Sequence, residues 1–389
     1  MVNILKKALM IASVASMIDL FNRDNIEILQ TLGYEVDISC NFESGSITSQ
    51  EKVNSFKDEL LRKHYGVYHI PIPRSIMKIH DIIKSYRIIK ALCANNNYEI
   101  VHCHSPIGGV IARLACKNYR QFGTKVIYTA HGFHFFKGSP KRNWLIYYTI
   151  EKYVSKFTDC IITINNEDYE NAKKFKSNMI EYVPGIGVNV EKIQNIQVDK
   201  IELRSELQLH SDDFVLLAVG QLSTRKNHVV TIKALSLIPN DKIKLVICGL
   251  GEKEKYLRDL VNELNLSHRV VITGFRSDIY KILHIVDCFV FPSLQEGLPV
   301  SLMEAMSIGL PIICSKIRGN TDLIQNGENG FLHEPDDYIG FSKSIIEISN
   351  NETLRSKMRE LNLSRIENYD REIIKQKMEI IYKKITSKT

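Results

Sequence analysis

A pattern that runs twice along the 389 residues constrains the fold more than any other feature of the chain: short apolar runs alternate with longer segments of helical periodicity. Runs at 8–13, 34–39, 68–70, 100–102, 125–130 and 160–164 read as strands of a parallel sheet covered by helices. The series then restarts at 214–219, 244–248, 270–273, 288–291 and 311–314. Two doubly wound α/β units follow from this repetition. Between them, Pro184, Gly185 and Gly187 interrupt any regular element, so the boundary belongs at 183–199. Near the end, Ile373, Ile374, Met378, Ile381 and Tyr382 stand at helical spacing with lysines on the other positions, an amphipathic closing helix. The expected layout is a domain at 1–190, a second at 191–368, and the helix at 369–389 packing back toward the first. A chain of this length with 44% hydrophobic residues can bury two cores. No solenoid repeat is visible.

Charge is distributed unevenly. Residues 1–195 hold 25 Lys/Arg against 18 Asp/Glu, and the remainder holds 26 of each, so the whole excess of +7 belongs to the first half. Arg113, Lys117, Arg120, Lys125, Lys137, Lys141 and Arg142 fall in 101–150, a stretch with no acidic residue. Phosphate, anionic lipid or nucleic acid would suit such a stretch, and so would plain solvation. Nucleic acid is disfavoured because no RNA-recognition motif accompanies the basic residues. Residues 74–90 form a basic helical segment with Ile79, Ile82, Ile83 and Tyr86 on one side, which fits either an anionic membrane surface or a core-facing stripe. Eight scattered cysteines without a C-x-x-C pair or a secretory signal indicate neither disulfides nor zinc and fit a reducing cytoplasm. The apolar segment 4–14, broken by Lys6 and Lys7, is too short to span a bilayer, so no transmembrane anchor is expected.

Local chemistry concentrates at 291–306. A buried-looking strand ends at Phe291, a loop follows, and Pro299 sits where the first turn of a helix would begin. Ligands of open α/β sheets bind at that end of the strands, and helix N-termini favour anions. Glu296 lies in the loop and Glu304 in the helix, tilted back toward its start, so both carboxylates can converge on one ligand. Each offers two acceptor oxygens to sugar hydroxyls, and Gly297 permits close backbone approach. The loop 220–227 also joins a strand to a helix and carries the adjacent cations Arg225 and Lys226. A third such loop, 273–279, reads either as a ligand contact or as a turn capped by Ser277 or Asp278. His131 ends the strand at 125–130. His102 and His104 are placed on opposite faces of their strand, which argues against a shared metal.

Taken together, these residues resemble the retaining glycosyltransferases of family 4, whose two Rossmann-like doubly wound parallel-sheet domains face each other across a cleft in the GT-B fold. The resemblance covers essentially the whole chain and rests on the Glu–seven residues–Glu signature at Glu296 and Glu304. It implies that Glu296 contacts donor-sugar hydroxyls, that Glu304 holds the ribose, and that the backbone of Gly297, Leu298, Pro299 and Val300 contacts sugar and diphosphate. Lys226 resembles the diphosphate-binding lysine. The family often places an arginine directly after Gly220, where this chain has Gln221, and Arg225 is the candidate substitute. Gly274, Phe275 and Arg276 resemble the loop around the nucleotide base, and His131 resembles the active-site histidine. The turn 13–17 has no glycine, unlike its family counterpart. The segment 133–140 looks like a subgroup that builds bacterial capsules and exopolysaccharides.

The resemblance implies a retaining hexosyltransferase that uses a UDP-linked sugar, needs no metal or other cofactor, and acts on a polyprenyl-diphosphate-linked glycan. It would sit in the cytoplasm, peripherally on the inner face of the membrane. A sugar-nucleotide epimerase or a phosphorylase of the same fold, and a non-catalytic carbohydrate- or nucleotide-binding scaffold, are the alternatives.

Overall fold

The computed structural model describes residues 6–46 and 48–387. Residues 1–5 and 388–389, which include the start of the apolar segment 4–14 and the end of the segment 369–389, lie outside them. The chain divides into two compact units, one of residues up to Ile186 together with those from Glu372 onward, the other of Gly187–Arg371. The expected limits stood at 190 and 368. Both crossings are held side by side: Val188 N–H donates to Tyr369 O (3.0 Å), and Arg371 N–H donates to Val188 O (2.9 Å).

The first unit is built on a seven-stranded sheet, β1 (Lys6–Ile11), β2 (Tyr34–Cys40), β3 (Gly66–His69), β4 (Ile100–His104), β5 (Lys125–Ala130), β6 (Cys160–Thr163) and β7 (Met179–Tyr182). Its spatial order is β3-β2-β1-β4-β5-β6-β7, and every pairing is parallel. The central strands are buried on both faces, which is why β4 and β6 carry no exposed position. One face packs under the helices Ile79–Asn96, Pro106–Cys116 and Thr149–Val154. The other packs under the N-terminal helices and the last helix, Arg371–Thr386, whose Ile374, Met378, Ile381, Tyr382 and Ile385 enter the same core as β1 and β2.

A six-stranded parallel sheet forms the second unit: β8 (Phe214–Val219), β9 (Ile243–Cys248), β10 (Val270–Gly274), β11 (Cys288–Phe291), β12 (Ile312–Ser315) and β13 (Gly330–His333). Its order is β10-β9-β8-β11-β12-β13. In both sheets the strand order reverses beside the first strand, so the loops leaving β8 and β11 flank a switch point, where open α/β sheets hold ligands. Two strands escaped the sequence reading, β7 and β13. Each is the last strand at an edge and is only half-buried, so neither produces a continuous apolar run.

All eight cysteines are buried free thiols. Among the described residues no helix is long and apolar enough to cross a membrane.

Candidate active site

In the second unit, the exit of β8 is pressed against the exit of β9. A Cβ on Gly249 would lie 1.9 Å from Gly220 O, and one on Gly251 would lie 2.3 Å from Leu222 O. Glycine is required there because backbone meets backbone. The loop is laced in place by Leu222 N–H to Leu250 O (2.9 Å) and Lys253 N–H to Leu222 O (2.9 Å). Asn227 closes it at a left-handed φ of 56°, a conformation asparagine tolerates better than most residues. The amide of Asn227 donates to Pro292 O (3.1 Å) and Pro335 O (2.8 Å), tying the β8 loop to the β11 loop.

This lacing brings the predicted charges together. Lys226 Nζ lies 2.8 Å and Arg225 Nη1 2.9 Å from the same oxygen, Glu296 Oε1. Arg225 also donates to Gln295 O (3.0 Å) and remains largely exposed, whereas the Lys226 and Glu296 side chains are mostly buried. The ammonium stands 4.5 Å from the centroid of the Phe291 ring. Burial pulls the Lys226 pKa below its ordinary value, and Glu296 opposes that shift. A Cβ on Gly220 would lie 3.1 Å from the Lys226 methylenes, so glycine leaves room for the lysine stem. Gln221 is exposed beside it.

From Glu296 the chain enters the helix Val300–Ser307, with Pro299 immediately before it in an extended conformation and Leu298 buried beneath. Arg318 Nε donates to Glu296 O (3.2 Å), and a Cβ on Gly319 would meet Gly297 O at 2.2 Å. The 296–299 backbone is thus fixed from below, and the helix start supplies N–H groups without intrahelical partners. Glu304 accepts a hydrogen bond from Tyr280 Oη (3.1 Å). Burial raises the Glu304 carboxyl to about 7, with the tyrosine hydrogen bond opposing. Tyr280 is raised to about 12, first by burial and then by the carboxylate. The two carboxylates therefore have separate partners, cations for Glu296 and a phenol for Glu304.

The β10 exit turns at Gly274, with φ 75°, and leaves Phe275 exposed. Arg276 is engaged by Asp278 (2.6 Å) and Glu206. Asp278 makes no side-chain cap to the following helix, Ile279–Leu283. Its carboxylate serves Arg276 instead.

His131 belongs to the first unit, where it lines a small cavity of about 40 Å³ with His104, Thr129, Asn22, Ile164, Lys375 and Met378 among its walls. His131 Nε2 lies 3.1 Å from His104 Nδ1. His102 bonds Tyr382 Oη (2.7 Å) through Nδ1 and Thr129 Oγ1 (2.8 Å) through Nε2. The expectation that His102 and His104 face opposite ways is overturned, since their ring centroids are 4.2 Å apart. Residues two apart on a strand share a face. Burial lowers His131 to about 4 and His102 to about 3, and drives His104 well down, leaving three neutral imidazoles near pH 7. Among the described residues no group of three or more His, Cys, Asp or Glu could hold a metal ion. The glycine lacking from the turn 13–17 has a counterpart across from it: a Cβ on Gly108 would lie 3.0 Å from Ser13 Oγ.

Sequence reading missed Tyr280, Asn227 and Arg318. Asn227 was open to discovery, because an asparagine between a loop and an apolar helix signals a left-handed residue. Tyr280 and Arg318 were not, since 24 and 22 residues separate them from the groups they contact.

The chain resembles known proteins over most of its length. Residues 199–363 match the family "Glycosyl transferases group 1", and residues 11–165 match "Glycosyl transferase 4-like". The chain is 36% identical over 348 residues to EpsD of Bacillus subtilis (strain 168), covering 88% of this chain and 87% of that protein. It is 32% identical over 342 residues to the UDP-Gal:alpha-D-GlcNAc-diphosphoundecaprenol alpha-1,3-galactosyltransferase of Escherichia coli, covering 84% and 83%. Anabaena Alr3699/HepE, solved in complex with UDP, superposes with a TM-score of 0.76 at 17% identity, covering 97% of this chain and all of that one. The chain belongs to the family 4 glycosyltransferases of GT-B fold that serve bacterial polysaccharide synthesis.

Proposed function

We propose that the protein is a retaining hexosyltransferase that moves a sugar from a UDP-linked donor to a polyprenyl-diphosphate-linked glycan, without a metal ion. The second unit binds the donor and the first the acceptor, at the cytoplasmic face of the membrane. The observation that carries this reading is the convergence of Lys226 and Arg225 on one oxygen of Glu296, beside the start of the helix Val300–Ser307. The Escherichia coli relative's name, with its UDP-linked donor and diphosphoundecaprenol-linked acceptor, supports the substrate classes.

In the free protein Glu296 is shared by two cations, which leaves the cluster with a net positive charge. A bound diphosphate would offer Lys226 and Arg225 several oxygens in place of one, releasing Glu296 toward hydroxyls of the donor sugar. Glu304 would accept from the ribose hydroxyls, and the backbone at 274–276 would border the base, with Arg276 holding the turn. As the bond between the anomeric carbon and the phosphate oxygen breaks, charge accumulates on the diphosphate. Lys226, Arg225 and the helix N-terminus stabilise it. The acceptor hydroxyl forms its bond to the same face of the anomeric carbon and passes its proton to the departing phosphate oxygen, so the configuration is retained. His131, neutral near pH 7, would hydrogen-bond the donor sugar rather than supply positive charge.

The test is a panel of nucleoside diphosphate sugars, read by nucleoside diphosphate release with and without a lipid-diphosphate-linked acceptor, in the presence and absence of EDTA. Acceptor-dependent release from a UDP-sugar that survives chelation is expected. Release of an altered free sugar without acceptor, or loss with EDTA restored by a divalent ion, would reject the reading.

A further inference from the structure

The helical segment Lys141–Val154, widened to π geometry over Trp144–Tyr148, is firmly held on its inner side. Glu151 forms a buried ion pair with Arg113 (2.8 Å), whose guanidinium stacks 3.9 Å from the centroid of the Tyr128 ring. Trp144 Nε1 donates to Phe136 O (3.3 Å), the Asn143 amide donates to His134 O (2.8 Å), and Trp144 and Tyr148 pack on Phe135. The outer side is different. Leu145 is 75% exposed, Ile146 44%, Ile150 38% and Tyr153 53%, a single stripe at helical spacing. Lys141, Arg142, Lys152 and Lys156 flank it, all exposed.

Helix Pro106–Cys116 packs against both this segment and helix Ile79–Asn96. Its own charged residue, Arg113, is buried, so it adds no exposed charge between its neighbours. At and before the start of helix Ile79–Asn96, Met77 is 81% exposed and Ile79 64%, with Ile76 and Ile83 also exposed, beside Arg74, Lys78, Lys84 and Arg87. Both helical segments begin at the C-terminal edge of the sheet, the edge where His131 leaves β5. Seven exposed aliphatic side chains and their flanking cations therefore lie on the two segments that begin at that edge, opposed by no acidic group in residues 101–150 and by Asp81 alone in residues 74–90.

We propose that this edge inserts into an anionic bilayer: Leu145, Ile146 and Ile150, with Met77 and Ile79, enter the acyl boundary while the flanking lysines and arginines hold lipid headgroups. The inference deepens the membrane-face part of the proposed function and is independent of which sugar is transferred. Stranded aliphatics rimmed by cations match a surface that is apolar inside and anionic outside, which a solvated or purely electrostatic face would not require. The insertion predicts binding that salt weakens but does not abolish. Screening shortens the Debye length to about 3 Å at 1 M salt and leaves apolar burial intact.

The experiment is flotation of the full chain with vesicles of phosphatidylglycerol and phosphatidylcholine, or of phosphatidylcholine alone, at 0.1 M and 1 M salt. It is combined with fluorescence of Trp144, the only tryptophan in the sequence and the immediate neighbour of Leu145. Expected are preference for the anionic vesicles, a bound fraction persisting at 1 M salt, and a blue shift of Trp144 with protection from an aqueous quencher. The exposed double variant Leu145→Ser/Ile146→Ser should fold, lose about tenfold in partition for each inserted chain, and lose the salt-resistant fraction. The variant Lys141→Gln/Arg142→Gln should lose about fivefold per charge at 0.1 M salt and much less at 1 M. Binding abolished by salt with Trp144 unmoved would overturn insertion while leaving electrostatic docking, and the hexosyltransferase reading, standing. Equal binding of the serine variant would overturn it too. A wild-type dimer in sedimentation that the serine variant disperses would assign the face to a second copy of the chain and overturn the membrane proposal.

Discussion

Because burial raises its carboxyl to about 7, Glu304 makes the surroundings of the helix Val300–Ser307 sensitive to pH in a way that can be measured. Its folded pKa is raised, so the stability linked to it is fully present below the unfolded value of 4.5 and is lost as pH rises through about 7. Glu304→Gln removes that loss. Thermal denaturation should show the variant gaining on the wild type between pH 5 and pH 8, and a constant difference across that range would contradict the burial. If Glu304 accepts from ribose hydroxyls, it does so best when ionised. Titration calorimetry with UDP should then show a rise in wild-type affinity from pH 6 to pH 8 that exceeds the rise in Glu304→Gln. Lys226 makes a different prediction. Removing one preorganised donor from a site of developing charge costs about 10²–10³ in kcat. Lys226→Ala should lose that much while remaining folded, and steady-state turnover within a few-fold of wild type would remove the lysine from the mechanism. The pairing of Lys226 with Glu296 was not legible in the sequence, because 70 residues separate them and the loop that joins them is oriented by Asn227.

At the scale of elements, the strands that carry continuous apolar runs were legible, and 125–130, 214–219 and 288–291 match β5, β8 and β11 residue for residue. Edge strands β7 and β13 were not, since each is only half-buried and neither carries a continuous apolar run. Glycine at the exit of β9 is the counterpart of the loop that holds Lys226. With a Cβ at residue 249 only 1.9 Å from Gly220 O, Gly249→Ala must push the β8 loop outward. UDP affinity should fall in this variant although no ligand-contacting side chain has changed, and calorimetry that finds wild-type affinity would show the loop position to be immaterial. The histidines of β4 show how an element can mislead. His102 and His104, expected on opposite faces, are two residues apart and so share a face, where their rings are in contact and Tyr382, far away in sequence, satisfies the first of them.

Over the whole molecule, two parallel sheets were visible as a repeated pattern because each burying strand must be apolar on both faces. Of the stripe expected on the final helix, Ile374, Met378, Ile381 and Tyr382 enter the core of the first unit together with Ile385, whereas Ile373 is exposed. The uneven charge was also visible, and its partner was left open between lipid, phosphate and solvent. The cavity beside His131 was not visible, because its walls come from several strands, the helix Arg23–Thr31 and the helix Arg371–Thr386. Transfer with retention of configuration is proposed at the site formed by Lys226, Arg225, Glu296 and Glu304. It is tested most directly by nuclear magnetic resonance of the product formed from a UDP-α-sugar and a lipid-diphosphate-linked acceptor. An α-linked sugar from the wild type and little product from Lys226→Ala are expected. A β-linked product, or undiminished α-linked product from Lys226→Ala, would contradict it.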